Sequence, residues 1–475
     1  MTKQTDKSND TKGGFGSKIG FILAAAGSAV GLGNIWRFPY LAAKYGGGFF
    51  LLVYLIFAVT FGFALMITEI AIGRRTGKSV IGAYKDVHPK FGAMGWLAML
   101  IPALILPYYC VIGGWVLKYM CTFITGQGAD AAEKLYAPAG GGEATLTFFE
   151  HFIGMIGQPV VFFLVYVAIN ALVVMLGVEK GIEKVSKFLM PVLLVLIIGI
   201  SIYTLTMDGA MEGLKYYVLP DFSDFSAGKL FKTVAAAVGQ LFYSMSIAMG
   251  IMITYGSYMR KEDSLEGSVR QIEIFDTAVA FLAGVMIIPA VFVFSGGNPE
   301  SLQGGPSLMF VTMPKVFMQM PMGRWIGVLF FALVLLAALT SAIALTETIV
   351  STWIDQLHGN RTTGVMMTGV VMLLLGTLSC MGYGPLSFIK IIGMQFLDFF
   401  DFLTNSLMMP VSALAICLLV TRCMGIQAVA EEVMQDGHPF GRKAIFSVMI
   451  RYICPVFVVI ILISSIANVF GWIHM

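Results

Sequence analysis

Apolar stretches of about 20 residues, each long enough to cross a hydrocarbon layer roughly 30 Å thick, recur along almost the whole 475-residue chain. That recurrence constrains the fold to an all-α integral membrane bundle, because a spanning segment must satisfy its own backbone hydrogen bonds where there is no water. Composition agrees: 58% hydrophobic and 12% charged residues, with a mean hydropathy of +0.85, leave more apolar surface than one soluble core could bury. Thirty basic against 27 acidic side chains give a formal charge of +3, so no general basic surface argues for a nucleic-acid partner. The six cysteines lie in or near apolar segments without a CxxC pair, as small buried residues do.

Eleven spans are expected, near 15–41, 46–72, 92–124, 158–177, 182–206, 229–257, 272–296, 324–356, 363–381, 395–421 and 444–473. Residues 1–14 form a polar tail, and the apolar run after them lacks an A-x-A cleavage region, so no cleaved signal peptide is expected. Lys3, Lys7, Lys12 and Lys18 precede the first span; Arg74, Arg75, Lys78, Lys85 and Lys90 follow the second; Lys180, Lys184 and Lys187 follow the fourth. By the positive-inside rule these segments face the cytoplasm of a cell that carries the chain in its inner or plasma membrane. Segments 126–157 (Asp130, Glu133, Glu143, Glu150) and 207–228 (Asp208, Glu212, Asp221, Asp224) then face outward, as does the tail Gly471–Met475.

Two spans are interrupted. The first carries Gly27-Ser-Ala-Val-Gly-Leu-Gly-Asn34 and the sixth Ser244-Met-Ser-Ile-Ala-Met-Gly250. Each stands at the head of a five-span half, and an odd number of spans per half inverts the second against the first. The pattern predicts a 5+5 inverted repeat, 15–206 and 229–421 followed by 444–475, with helices 1 and 6 unwound at mid-membrane. Gly27-x-x-x-Gly31 alone reads equally as a small-residue packing face.

The run Gly27-Ser-Ala-Val-Gly-Leu-Gly-Asn-Ile-Trp-Arg-Phe-Pro-Tyr40 followed by Gly46-Gly-Gly48 resembles the first-span signature of the neurotransmitter:sodium symporters. Lys180-Gly-Ile-Glu183, Gly239-Gln240, Ala337-Ala-Leu-Thr-Ser341 and Leu397-Asp-Phe-Phe-Asp401 match in the same order, so the resemblance covers essentially the whole chain. It is nearest to the bacterial amino-acid branch of the family, with its multi-hydrophobic and leucine carriers.

The resemblance implies symport of sodium with an amino acid by alternating access. One sodium site would use the carbonyl of Ala29 with Asn34, Ser244 and Asp276, completed by the substrate carboxylate. A second would use the carbonyls of Gly27, Val30 and Ala337 with the hydroxyls of Thr340 and Ser341. Taken alone, those two hydroxyls read as bonds back to their own helix. Many relatives carry Asn where Asp276 stands, and chloride-requiring members place that ion beside the matches of Tyr54, Gln240 and Ser244 plus a serine that here is Ala280. A fixed carboxylate at Asp276 could replace the anion, so chloride-independent transport is expected.

Monoamine carriers of the family place an aspartate at the position of Gly31, so the resemblance implies a ligand that brings its own carboxylate. Its contacts would be Ser28, Ala29, Leu32, Gly33, Ile105, Tyr109, Tyr243, Ser244, Ser246, Met249, Ser341 and Leu345. Met249 stands where the leucine carrier has phenylalanine, and its flexible thioether points to large hydrophobic and aromatic side chains such as tryptophan or tyrosine. Smaller aliphatic substrates, leucine or alanine, are the alternative, as is a substrate-binding membrane sensor. The gates would be Arg37 with Asp401 outside and Lys12 with Asp355 inside, where lysine lacks arginine's bidentate fork. Gly181 and Pro191 mark a start of the fifth span that unwinds easily, or an ordinary kink. Glu69, Glu347 and Asp398 are intramembrane acids assigned only to structural pairing.

No enzyme is expected. Gly73-Arg-Arg-Thr-Gly77-Lys-Ser79 has three residues between its glycines rather than the four of a phosphate-binding loop and follows a membrane helix. The five histidines fall in loops or at ends. The expected partners are the amino acid, two sodium ions and the lipid bilayer, with the chain a monomer or weak homodimer.

Overall fold

A computed structural model describes residues 13–137, 145–223, 226–296 and 304–469. Lys3, Lys7, Lys12, Glu143, Asp224 and the tail 471–475 lie outside these residues, and with Lys12 goes the expected inner gate pair.

The described residues are all-helical apart from isolated bridges. Among the described residues nine helices are long and apolar enough to span: Gly48–Thr76, Pro89–Ile124, Gly157–Met175, Val178–Leu205, Leu265–Phe294, Gly323–Leu357, Arg361–Met381, Phe396–Met424 and Lys443–Ala467. The first expected span is a pair, Lys18–Ala29 and Gly33–Lys44, bent by 52°. The sixth is two shorter helices, Ala227–Ser244 and Ile251–Ser257. Both interruptions therefore fall where the sequence placed them.

Boundaries differ most at the seventh span, which begins at Leu265 rather than near 272. Glu266, Arg270 and Glu273 make its first turns resemble a loop, yet Ser264 caps the helix by accepting from the Gly267 N–H. Short helices Val80–Val87, Ala210–Val218, Met313–Gln319 and Ile426–Val433 carry the connections.

The eighth span packs on the third, fifth, ninth and first, and the first also packs on the fifth and seventh. The broken first span is thus enclosed on several sides. That enclosure is what lets unpaired backbone sit at membrane depth.

Glu69 and Glu347 are buried and Asp398 is exposed, and each of the three is engaged. Glu69 accepts the Ala248 N–H at 2.7 Å. Glu347 pairs with Arg361 and accepts from the Tyr258 hydroxyl at 2.7 Å. Asp398 accepts from the Tyr383 hydroxyl at 3.0 Å. At the end expected to be cytoplasmic, Glu183 accepts from the Gly16 N–H at 2.7 Å and the Ser17 hydroxyl at 2.8 Å, tying the start of the first span to the fifth. The helix from Val178 to Leu205 runs unbroken past Gly181 and Pro191. Its first turn is wide, and a Cβ on Gly181 would stand 2.2 Å from the Val173 carbonyl oxygen, so glycine is required there.

Candidate functional site

The break in the first span follows from where its N–H groups go. In a continuous helix the N–H groups of Gly31 and Leu32 would bond the carbonyls of Gly27 and Ser28. Here the Gly31 N–H donates to Asn34 Oδ1 at 3.1 Å and the Leu32 N–H to the Tyr109 hydroxyl at 3.3 Å. The two carbonyls are left without helical partners. Val30, with ψ 95°, turns the chain away between the half-helices.

Those freed carbonyls converge on the eighth span. The Ser341 hydroxyl lies 3.4 Å from the Gly27 oxygen, 3.1 Å from Ser28, 3.4 Å from Val30 and 3.2 Å from Ala337. One hydroxyl carries one proton, so Ser341 can fully satisfy at most one of the four, while Ser28 also takes the Ser246 hydroxyl at 2.8 Å and Ala337 the Thr340 hydroxyl. Thr340 sits beside it, its hydroxyl 3.1 Å from the Ala337 oxygen. All five expected ligands of one sodium site are thus gathered around a nook lined by carbonyl and hydroxyl oxygens, the kind of ligand a small cation takes.

The other expected ion site is a polar cluster in the core. Asn34 Nδ2 donates to Asp276 Oδ1 at 2.7 Å and contacts the Ser244 hydroxyl at 3.1 Å. Ser244 donates to Asp276 Oδ1 at 2.7 Å, and the Tyr54 hydroxyl donates to Oδ2 at 3.3 Å. Asn34, Tyr54, Ser244 and Asp276 are all buried. A buried carboxylate is costly unless donors or a cation compensate it, and here three side chains converge on one. Asn34 turns its nitrogen to Asp276 and its oxygen to the Gly31 N–H, which leaves that oxygen one lone pair for a further partner. Gln240 donates to the Gly33 carbonyl at 2.9 Å and holds the second half of the first span against the sixth.

The sixth-span break is built from left-handed residues, Ser246 (φ 53°), Ala248 (φ 65°) and Gly250 (φ 76°). The first two cost on the order of 1–2 kcal/mol each relative to glycine. The Ser246 hydroxyl donates to the Ser28 carbonyl at 2.8 Å, and the Ser28 hydroxyl reaches Ser246 Oγ at 3.0 Å. The two broken segments, 218 residues apart in sequence, thus bond each other directly.

Between them lies a small pocket. It is lined by Ser28, Ala29, Gly33, Ile105, Tyr109, Tyr243, Ser246, Met249, Ser341 and Leu345 of the expected contacts, and also by Gly31 and Ile251. Leu32 presents its N–H to Tyr109, and Ser244 belongs to the Asn34–Asp276 cluster instead. Ile251 carried no sequence signal, being one more apolar residue in an apolar span. The pocket holds about 20 Å³, so Met249, Ile105 and Leu345 must draw back for a bulky side chain. A Cβ on Gly31 would stand 2.7 Å from Ser341 Oγ and 3.0 Å from the Tyr109 hydroxyl oxygen, which excludes any side chain there in this arrangement.

Above the pocket, Tyr243 forms a shared wall with an outer cavity of about 450 Å³ that also holds Arg37, Tyr108 and Asp401. Among the described residues Arg37 and Asp401 make no ion pair. Asp401 accepts from the Tyr108 hydroxyl at 3.1 Å and the Asn405 amide at 2.5 Å, while the Arg37 guanidinium lies 5.8 Å from the Tyr243 ring centre. The two residues expected to form the outer gate line one cavity without an ion pair between them. On the other side Asp355 accepts the Ser79 N–H at 2.7 Å.

Residues 12–132 and 144–472 match the family described as the Sodium:neurotransmitter symporter family. The chain is 35% identical over 454 residues to YhdH of Bacillus subtilis (strain 168), an uncharacterized sodium-dependent transporter, covering 95% of this chain and 97% of that protein. It is 30% identical over 459 residues to an uncharacterized sodium-dependent transporter of Haemophilus influenzae, covering 94% and 97%. Among solved structures, MhsT in complex with L-phenylalanine superposes with a TM-score of 0.83 at 36% identity, covering 96% of this chain and all of that one.

Proposed function

The chain belongs to the sodium:neurotransmitter symporter family, and from that premise we propose that it imports hydrophobic and aromatic L-amino acids, tryptophan or tyrosine among them, driven by two sodium ions. The observation that carries this reading is the Ser341 hydroxyl set among four carbonyls, an oxygen cage beside a pocket with no side chain of its own to neutralise an amine. An amino acid would bring its carboxylate to the Ala29–Asn34–Ser244–Asp276 sodium, with the Tyr109 hydroxyl as donor, and set its ammonium against sixth-span carbonyls. Its side chain would press on Ile105, Met249, Ile251 and Leu345. That MhsT, a relative in sequence and structure, was solved with L-phenylalanine supports an aromatic substrate.

Alternating access would rock one helix bundle about the occupied site, with Tyr243, Arg37 and Asp401 closing above and the Glu183 tie to Gly16 and Ser17 opening below. Each sodium crossing about 100 mV contributes roughly 2.3 kcal/mol, and a tenfold gradient adds about 1.4 kcal/mol. Two ions with a zwitterion supply on the order of 7 kcal/mol, enough for about 10⁵-fold accumulation. Asp276 would make transport independent of chloride. The basic loops set the N-terminus in the cytoplasm and the C-terminus outside, with the chain a monomer or weak homodimer.

The small volume of the central pocket favours the second reading, a leucine- or alanine-sized substrate. Uptake of labelled tryptophan into proteoliposomes under an inward sodium gradient, with leucine, alanine and monoamines as competitors, separates the two. Sodium-driven accumulation blocked best by tryptophan or tyrosine supports the first; stronger competition by leucine or alanine supports the second.

A further inference from the structure

A second concavity, of about 940 Å³, runs along the outside of the seventh span, between Leu55 and Val59 of the second span and residues 439–442 before the last. Its floor is apolar. Leu55, Val59 and Ile274 are 37%, 47% and 59% exposed there, and Phe281 closes the far end. Both flanking spans are membrane helices, so this face meets lipid.

The end nearest the start of the seventh span is charged, and its acids are already compensated. Glu273 pairs with Arg442 at 3.0 Å, and Glu266 accepts the backbone N–H groups of Gly441 at 2.7 Å and Arg442 at 3.1 Å. Arg442 is held further by the Phe63 ring, 3.5 Å below its guanidinium. Arg270 is exposed and forms no ion pair or hydrogen bond among the described residues. At Gly267, one turn before Arg270, the ammonium of Lys18 at the start of the first span stands 4.0 Å from the glycine's Cβ position, likewise without a partner among the described residues. Two uncompensated cations therefore flank the mouth of an apolar cleft at the level where the positive-inside rule sets the cytoplasmic leaflet.

We propose that this cleft seats one anionic phospholipid of that leaflet, its phosphate between Arg270 and Lys18 and an acyl chain along Leu55, Val59, Ile274 and Phe281. Anionic headgroups of the cytoplasmic leaflet gather at basic side chains near the membrane surface, each contributing about 1 kcal/mol. A zwitterionic headgroup returns a positive charge to the same place and gains less.

The test is native mass spectrometry on the delipidated full-length protein, titrated with phosphatidylglycerol or with phosphatidylcholine of the same acyl chains. The wild type should retain phosphatidylglycerol preferentially. Arg270→Gln should weaken that retention roughly fivefold, the worth of one basic residue near an anionic surface, and leave phosphatidylcholine unchanged. Ala278→Trp, which fills the cleft without touching a charge, should weaken both. Equal retention of the two lipids by the wild type would overturn the proposal, as would an Arg270→Gln variant that retains phosphatidylglycerol undiminished. Displacement of the lipid by inorganic phosphate alone would also overturn it, because the cleft would then hold an anion and no chain.

Discussion

Asn34 Nδ2 donates to Asp276 Oδ1 across 2.7 Å, joining the break in the first span to the middle of the seventh over 242 residues of sequence. The same carboxylate takes the hydroxyls of Ser244 and Tyr54, so one negative charge is shared by four membrane segments. A sodium ion seated there would meet a resident anion.

Asp276→Asn removes that charge without removing the oxygen. A charge-assisted contact of this kind is worth about 1.5–3 kcal/mol, so the sodium concentration for half-maximal uptake should rise by about 10- to 100-fold. Wild-type uptake should be unchanged when gluconate replaces chloride, and chloride should restore part of the variant's. Loss of wild-type uptake in gluconate would show that Asp276 does not replace the anion.

Ser341→Ala removes the one hydroxyl within reach of all four carbonyls of Gly27, Ser28, Val30 and Ala337. The expected result is a weakening of sodium binding by about tenfold or more, with thermal stability in high sodium close to wild type. Sodium titration of tryptophan binding in detergent measures it. An unaltered titration would reduce Ser341 to a helix-bonding residue.

Glu347 is fully buried and held by Arg361 and Tyr258. Arg361→Met should therefore destabilise the protein by about 3–5 kcal/mol, because an uncompensated charge is left inside. The double variant Arg361→Met with Glu347→Leu should recover most of that. Thermal unfolding in detergent decides it: a single variant as stable as wild type would mean that the pair contributes nothing.

Met249→Phe tests the pocket's selectivity. A rigid ring in place of a thioether that can withdraw should shift competition from tryptophan toward leucine by about tenfold, in line with the 1–3 kcal/mol that a hydrophobic pocket commands per group. Competition profiles that do not move would place the selectivity elsewhere in the lining.

The helices were legible in the sequence because each span is a long apolar run, and the two breaks because Gly27–Asn34 and Ser244–Gly250 concentrate glycine and hydroxyl residues where a span should be uniform. The start of the seventh span was not, since Glu266 and Glu273 read as loop until Gly441 and Arg442, some 170 residues on, compensate them. The diversion of the Leu32 N–H to Tyr109 was equally hidden, as was the place of Ile251 in the pocket, because both arise from packing between distant spans. Arg37 and Asp401 could be paired on paper as a gate. That Asp401 instead accepts from Tyr108 and Asn405 arises from packing of the third span against the tenth, which the sequence pattern does not show.

If the two broken spans form a sodium-coupled amino-acid site, proteoliposomes under an inward sodium gradient will accumulate labelled tryptophan above equilibrium, and that accumulation will collapse when the gradient is abolished and be competed by hydrophobic amino acids but not by monoamines. Binding of tryptophan without accumulation, or accumulation indifferent to sodium, would contradict it.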